Sequence, residues 1–249
     1  LIILKSTREI ELMRKAGQLL ANCHKEIASM IKPGVTTLEI DAFVDAYLAK
    51  HGAKPEQKGY KGYQYATCAS INDEICHGFP RKQPLKKGDI VTIDMVVNLN
   101  GALADSAWTY PVGEVSKEAS RLLEVTEEAL NKAIEQSVIG NRVGDIGHAI
   151  QSYVEAEGLS VVRDFTGHGI GETIHEAPTI LHYGEPNKGI RIKEGMVFTI
   201  EPMVNIGSWK SKMDDNRWTA RTIDGSLSAQ YEHTIAITKD GPMILTKQA

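Results

Sequence analysis

Slid along itself, this 249-residue chain nearly repeats, and that constrains its architecture more than any single motif. At an offset of 107, GDIVTIDMVVN falls on GMVFTIEPMVN, matching Gly88 with Gly195, Thr92 with Thr199, Ile93 with Ile200, Val97 with Val204 and Asn98 with Asn205. Asp94 lands on Glu201. At an offset of 106, Gly34 meets Gly140, Ile40 meets Ile146, Tyr47 meets Tyr153 and Gly52 meets Gly158. Two alignments in the same order at nearly one offset indicate a duplicated unit. Each unit must bury one face of a sheet, which side-by-side sheets backed by helices achieve around one shared core. The expectation is a single α/β (α+β) domain over residues 1–249, antiparallel sheet backed by helices, with pseudo-twofold halves at roughly 6–112 and 113–245.

The local signals agree with that frame. Ser6 with Glu9, and Thr36 with Glu39, form capping boxes ahead of apolar residues at helical spacing. The first run stops at Pro33–Gly34 and the second at Gly52. Residues 55–88 read as loops and short strands, including TCASI and NDEICHGFP. DIVTIDMVV, the turn NLNG and ALADSAWTYPV read as a hairpin. Helical spacing resumes from Ser116 through Val138, and GDIGHAIQSYVEAEG forms a further helix ending at Gly158. Strands are expected in SVVRDFTGHGIG, GMVFTIEPMV, WTARTID and SAQYEHTIAITK.

Composition excludes some function classes. A net charge of -4 gives no global reason to expect nucleic-acid binding, and 42% hydrophobic with 24% charged residues is ordinary for a globular chain. No apolar run reaches the roughly 20 residues of a membrane span, and the apolar part of LIILKSTREI is short for a signal peptide. Cys23, Cys68 and Cys76 have no CxxC spacing, which suits a reducing, cytoplasmic setting. Nothing is drawn from Leu1 as the first residue.

The acidic positions carry the chemistry. If the hairpin closes around Leu99–Asn100, Asp94 and Asp105 are directly opposite; if it closes around Asn100–Gly101, Asp94 faces Ala107 and Asp105 is a diagonal neighbour. Both registers put the carboxylates on one face. Glu201 in VFTIEPMV and Glu232 in SAQYEHTIAI add two more acids to apolar strands. Burying one unpaired carboxylate costs several kcal/mol, so four around one cleft require a shared cation. His168, between the glycines of TGHGIG, supplies a nitrogen ligand. Two Asp, two Glu and one His suit manganese, iron, cobalt or zinc, and they exceed the needs of one ion. Two ions about 3.5–4 Å apart fit better, as in hydrolases that activate water between metals. His77 in CHGFP and His175 in TIHEAP could donate to a substrate carbonyl or oxyanion. His24, His51 and His148 fall in expected helices and read as structural; His182 and His233 have no such context.

VTIDMVV, ADSAWT, TGHGIG, IHEAP, FTIEPM and SAQYEHT together resemble, in order, the five-ligand pattern of type I methionine aminopeptidases, over about residues 3–245. The resemblance implies the duplicated pita-bread fold. It implies that Asp94, Asp105, His168, Glu201 and Glu232 bind two divalent ions (Co, Mn, Fe, Zn or Ni), with Asp105 and Glu232 bridging, and that a bridging water attacks the scissile carbonyl. Glu201 would carry the proton, His77 would contact the scissile amide and His175 its carbonyl oxygen. Tyr60, Tyr63, Cys68 and Trp218 match the methionine pocket, where a thioether suits polarizable contacts. Ile174 stands where the family often has Phe, which bears on pocket shape. Asn72 and Ser228 match a monovalent-cation site. The implied substrate is the initiator methionine of nascent chains with a small second residue, met at the ribosome by a monomer with no membrane or sequence-specific nucleic-acid partner. Prolidases share the ligands but carry an additional N-terminal domain, for which no room precedes the first helix. Type II relatives carry an insertion that the path from Glu201 to Glu232 lacks, and metal-free binding proteins on this fold have lost ligands that are all present here.

Overall fold

The computed structural model describes residues 1–248. Four helices form where capping and periodicity place them: α1 Thr7–Met30, α2 Thr37–Lys50, α3 Lys117–Glu135 and α4 Val143–Ala156. Ser6 Oγ accepts from Glu9 N at 3.2 Å while Glu9 Oε2 accepts from Ser6 N at 2.6 Å, and Thr36 and Glu39 repeat the exchange at 3.1 and 2.7 Å. Each exchange satisfies two backbone donors that a helix start leaves free. α1 turns Ala16, Leu20, Cys23 and Ile27 inward, and α3 turns Leu122, Ala129 and Ala133 inward. These stripes bury fully, and each Leu or Ile contributes about 1.5–3 kcal/mol over leaving it in water. His51 lies one residue past α2, as its C-cap.

The strands pair antiparallel throughout. Ile90–Leu99 lies between Ala53–Pro55 and Cys68–Ile71 and also forms a hairpin with Ala102–Pro111. In the second half, Val197–Ile200 pairs with His233–Thr238 and Gly167–Gly169, while Met203–Asn205 pairs with Ser228–Gln230 and Ser160–Val161. Ser211–Met213 and Ala220–Thr222 form a small sheet with Glu74–Cys76. One apolar cluster lies between α1–α2 and the first-half strands, another between α3–α4 and the second-half strands, and Trp108 packs against both.

Several elements recur at one spacing. α2 and α4 are both 14 residues long and start 106 positions apart. Ala53–Pro55 pairs with Ile90–Leu99, which bears Asp94, and Ser160–Val161 pairs with Met203–Asn205, just past Glu201. The second half departs from the sequence expectation: SVVRDFTGHGIG forms only the short strands Ser160–Val161 and Gly167–Gly169, in different sheets, and each of GMVFTIEPMV and SAQYEHTIAITK is broken in two. The breaks fall at Glu201–Pro202 and at Tyr231–Glu232. Pro202 has no N–H to donate to a ladder, and the two breaks fall at the same level of the sheet.

The halves meet where Ala102–Pro111 runs beside residues 228–238. Glu232 N donates to Ala107 O at 2.9 Å. On either side of that point, a threonine hydroxyl takes over from ladder bonds. Thr109 Oγ1 donates to Gln230 O at 2.7 Å and accepts from Gln230 N at 3.0 Å; Thr234 Oγ1 donates to Asp105 O at 2.7 Å and accepts from Asp105 N at 3.0 Å. The two exchanges mirror each other about the Ala107–Glu232 contact, as a pseudo-twofold axis requires.

Candidate metal centre and substrate cavity

The hairpin closes through Asn100 and Gly101, whose φ angles of 54° and 90° are left-handed. Asn-Gly is the pair such a two-residue turn favours. The register therefore sets Asp94 opposite Ala107 and Asp105 opposite Val96, the diagonal arrangement. In the second half, the ladders 200↔233 and 203↔230 set Glu201 level with Glu232. His168 enters from Gly167–Gly169, whose backbone is tied to Thr199 by His168 N donating to Thr199 Oγ1 at 3.1 Å. His168 Nε2 lies 3.3 Å from Glu201 Oε1 and 3.5 Å from Asp105 Oδ2. Donor atoms of Asp105, His168 and Glu232 lie within 4.8 Å of one another.

The donors are arranged for a cation. Glu232 is 1% exposed, and neither of its carboxylate oxygens has a hydrogen-bond donor; Asp105 Oδ1 also lacks one. Such orphaned acceptors are rare in proteins. Burial raises the Glu232 and Asp94 carboxyls well above the ordinary range, and neighbouring acids raise them further: Asp105, Glu201 and Asp94 for Glu232, Asp105 and Glu201 for Asp94. Glu201 is raised to about 7 by burial and then by Asp105, while His168 opposes the rise. Burial disfavours charge on His168 itself, yet Asp105 and Glu201 lift it to about 9. His168 Nδ1 lies 3.0 Å from Gly169 O, which leaves Nε2 as the coordinating nitrogen. A hard or borderline divalent ion fits this donor set.

A cavity of about 490 Å³ opens over Asp94, Asp105, His168 and Glu201. The sequence-expected residues Tyr60, Tyr63, Cys68, His77, His175 and Trp218 all line it. Tyr63 and Trp218 have ring centroids 5.1 Å apart. Burial raises the thiol of Cys68, opposite Asp94 on the neighbouring strand, well above its ordinary range, so it is a neutral apolar wall. His77 has φ 58°, an uncommon left-handed geometry for a residue with a side chain, and its ring meets Phe165 edge-on at 5.7 Å. Burial lowers its pKa. His175 stands exposed at the rim, 4.3 Å from His168 between ring centroids, with Tyr60 Oη 3.2 Å from its Nδ1. Desolvation and then His168 lower it to about 4, so at neutral pH it is uncharged and carries one N–H. Ile174 both lines the cavity and packs with Ile10, Met13 and Val96.

The residues from 11 to 239 match the model of metallopeptidase family M24. The chain belongs to that family. It is 50% identical over 247 residues to methionine aminopeptidase 1 of Bacillus subtilis, covering 99% of this chain and all of that protein, and 51% identical to methionine aminopeptidase A of Synechocystis, covering 98% and 97%. It superposes on the crystal structure of methionine aminopeptidase from Rickettsia prowazekii with a TM-score of 0.98 at 45% identity, covering 99% and 100% of the two chains. The prolidase of Pyrococcus horikoshii gives 0.80 at 25% identity and is covered over 64% of its length. The pita-bread fold and its duplication are those of the family.

Sequence reasoning passed over several lining residues. Gln230 donates to Glu201 Oε2 at 3.2 Å. Along the seam it stands two residues before Glu232, as Asp105 stands two residues before Ala107, an equivalence that the 106–107 repeat of the sequence does not show. His182, given no role, is fully buried and accepts from Glu201 N at 3.2 Å, with burial and His168 lowering it to about 3. Gln57 fixes the Asp94 strand by donating to Asp94 O at 3.1 Å and accepting from Val96 N at 2.6 Å. Phe165 and Met203 line the cavity with no sequence signal to mark them. At the expected monovalent site, Ser228 N donates to Asn72 O, and Asn72's amide is engaged by Asp89 and Ile90, each bond at 3.0 Å.

Proposed function

We propose that the protein is a metal-dependent aminopeptidase that removes the initiator methionine from new chains whose second residue is small. The observation that carries this reading is one juxtaposition: Asp94, Asp105, His168 and Glu201 sit at the floor of a cavity walled by Tyr60, Tyr63, Cys68 and Trp218, with the partnerless Glu232 carboxylate beside Asp105 and His168. Asp94, Asp105, His168, Glu201 and Glu232 would hold two divalent ions, Co, Mn, Fe, Zn and Ni all being acceptable to this donor set. Bound there, the ions would supply Lewis acidity and lower the pKa of water.

The chain's own groups do the rest. Glu201, held by Thr199 Oγ1 at 2.8 Å and by Gln230, is placed to take a proton from water and later deliver it to the leaving amine. Uncharged His175 offers its N–H to the substrate carbonyl oxygen as charge develops there. His77, fixed by its backbone and by Thr219 Oγ1 donating to His77 O at 3.2 Å, is directed at the scissile amide. The aromatic and thiol walls exclude water and receive the thioether. A monovalent cation beside Asn72 and Ser228, cytoplasmic location, a monomeric state and action on chains at the ribosome complete the proposal; among the described residues no helix is long and apolar enough to cross a membrane.

The test is metal analysis together with cleavage of Met-Ala-Ser and Met-Lys-Ser. Methionine release from the first alone, dependent on a divalent ion, is the expected result. Equal release from both, or release after exhaustive chelation, refutes the proposal.

A further inference from the structure

The turn that presents His175 has little to hold it. Residues 171–175 form no regular element before the strand Glu176–Ile180, and Glu172, Thr173 and His175 are all exposed. Inside the turn, Gly171 N donates to Thr173 O at 3.2 Å and Thr173 Oγ1 donates to His175 O at 3.1 Å. Besides the buried Ile174 and the contact of Tyr60 Oη with His175 Nδ1 at 3.2 Å, the Glu176 side chain ties it to the body of the protein. Glu176 Oε1 accepts from Glu172 N at 2.9 Å, which folds the turn back on itself, and Glu176 Oε2 accepts from Lys5 Nζ at 2.5 Å. Both partners are buried, with side chains 6% and 10% exposed. A Cβ on Gly171 would lie 2.6 Å from Glu176 Oε1 and 2.7 Å from Lys5 Nζ, so the pair is packed directly on the glycine of the turn.

Lys5 is itself anchored at both ends. Its backbone N donates to Gly195 O at 2.7 Å, just ahead of the strand Val197–Ile200 that leads to Glu201, and its ammonium also donates to Ile3 O at 3.2 Å. The N-terminal segment thus runs between the strand carrying one site residue and the turn carrying another. Surface ion pairs do little. A buried one with further hydrogen bonds fixes geometry, and removing one partner leaves an uncompensated charge.

We propose that Lys5 is a positioning residue: through Glu176 it locks the 171–176 turn and so holds the His175 imidazole over the metal centre. This rests on the aminopeptidase reading, in which His175 meets the substrate carbonyl. A displacement of an ångström in such a group is enough to slow turnover by about a hundredfold. The effect belongs to the transition state, so it falls on kcat and spares KM.

The experiment compares the metal-loaded wild type with Lys5→Met, Lys5→Arg and the charge-free double variant Lys5→Met/Glu176→Gln. Each is assayed on Met-Ala-Ser, melted, and followed by hydrogen exchange over residues 170–177. The expected result is a kcat about tenfold or more lower in Lys5→Met with KM within about twofold. Exchange should quicken over that segment alone, and Lys5→Arg should recover most of the loss. The double variant should regain the melting temperature while kcat stays low. A kcat within about twofold of wild type in Lys5→Met, unaltered exchange in the turn, or kcat returning with stability in the double variant overturns the inference. Absence of methionine release from the wild type would instead refute the aminopeptidase reading, and the exchange data would still report on the Lys5 tether.

Discussion

Glu201→Gln separates the electrostatic burden of the centre from its chemistry. In the metal-free protein the Glu201 carboxyl is held at about 7, against an ordinary 4.5. A carboxyl whose folded pKa is raised destabilises the fold wherever the unfolded chain is ionised. The penalty is small below about 4.5, grows as pH rises and is complete above about 7. At about 1.4 kcal/mol per unit it amounts to about 3 kcal/mol at pH 8 and under about 1 kcal/mol at pH 5. Glutamine removes the charge and keeps the shape. Its oxygen can still accept from Thr199, and Gln230, whose Oε1 has no partner, can turn its amide to accept from the new NH₂. Urea unfolding of chelated protein should therefore find Glu201→Gln more stable than wild type by about 3 kcal/mol at pH 8, with the difference shrinking toward pH 5. Saturating Mn²⁺ should reverse the order, because the wild type gains more from a cation it binds better. Turnover should fall by at least about a hundredfold, the contribution of a positioned acid-base group. A metal-free variant less stable than wild type at pH 8, or one that turns over normally when fully loaded, refutes the reasoning.

Other outcomes follow from the same structure. Asp94→Asn should weaken divalent-ion binding by about tenfold or more by calorimetry, since even residues that merely orient ligands contribute that much; unchanged affinity would remove Asp94 from the centre. Arg81 Nη1 and Nη2 each donate to Glu74 at 2.6 Å, and Glu74, 2% exposed, keeps only Arg221 Nη2 at 3.3 Å and Ile71 N at 3.2 Å without them, so Arg81→Met should destabilise by about 1–3 kcal/mol in chemical denaturation. Thr234→Val leaves the Asp105 N–H and C=O without the hydroxyl that serves both, and should cost about 1–3 kcal/mol. His24 is fully buried and lowered to about 4, chiefly by burial, so NMR should find its ring neutral at pH 5.5; the stability it provides is present above about 6.5 and lost as pH falls toward 4.

What could be read from the sequence was what local chemistry dictates. Capping boxes mark the starts of α1 and α2, Asn100–Gly101 offers one of two hairpin registers, and the repeat pairs Asp94 with Glu201. The breaks at Glu201–Pro202 and Tyr231–Glu232 were not seen, because the apolar runs continue through both and periodicity alone cannot register a lapse in hydrogen bonding. The seam between Ala102–Pro111 and residues 228–238 was equally hidden. Its bonds join residues more than 120 positions apart, and a threonine that replaces a ladder looks in sequence like any strand threonine. His182 and Gln57 act through backbone atoms of site strands, a role with no motif.

The mirrored threonine exchanges relate positions across the seam one to one: Thr109 with Thr234, Asp105 with Gln230, Ala107 with Glu232, Trp108 with His233. The backbone treats the partners of each pair alike, yet only the threonines are chemically the same. Acid faces amide in one pair and methyl faces acid in the next. Two identical halves docked this way would present the same surface to a peptide whichever way it was turned. Here the exchanged side chains abolish that equivalence, so the direction in which a chain can be read is written into a handful of replacements on an otherwise symmetric frame.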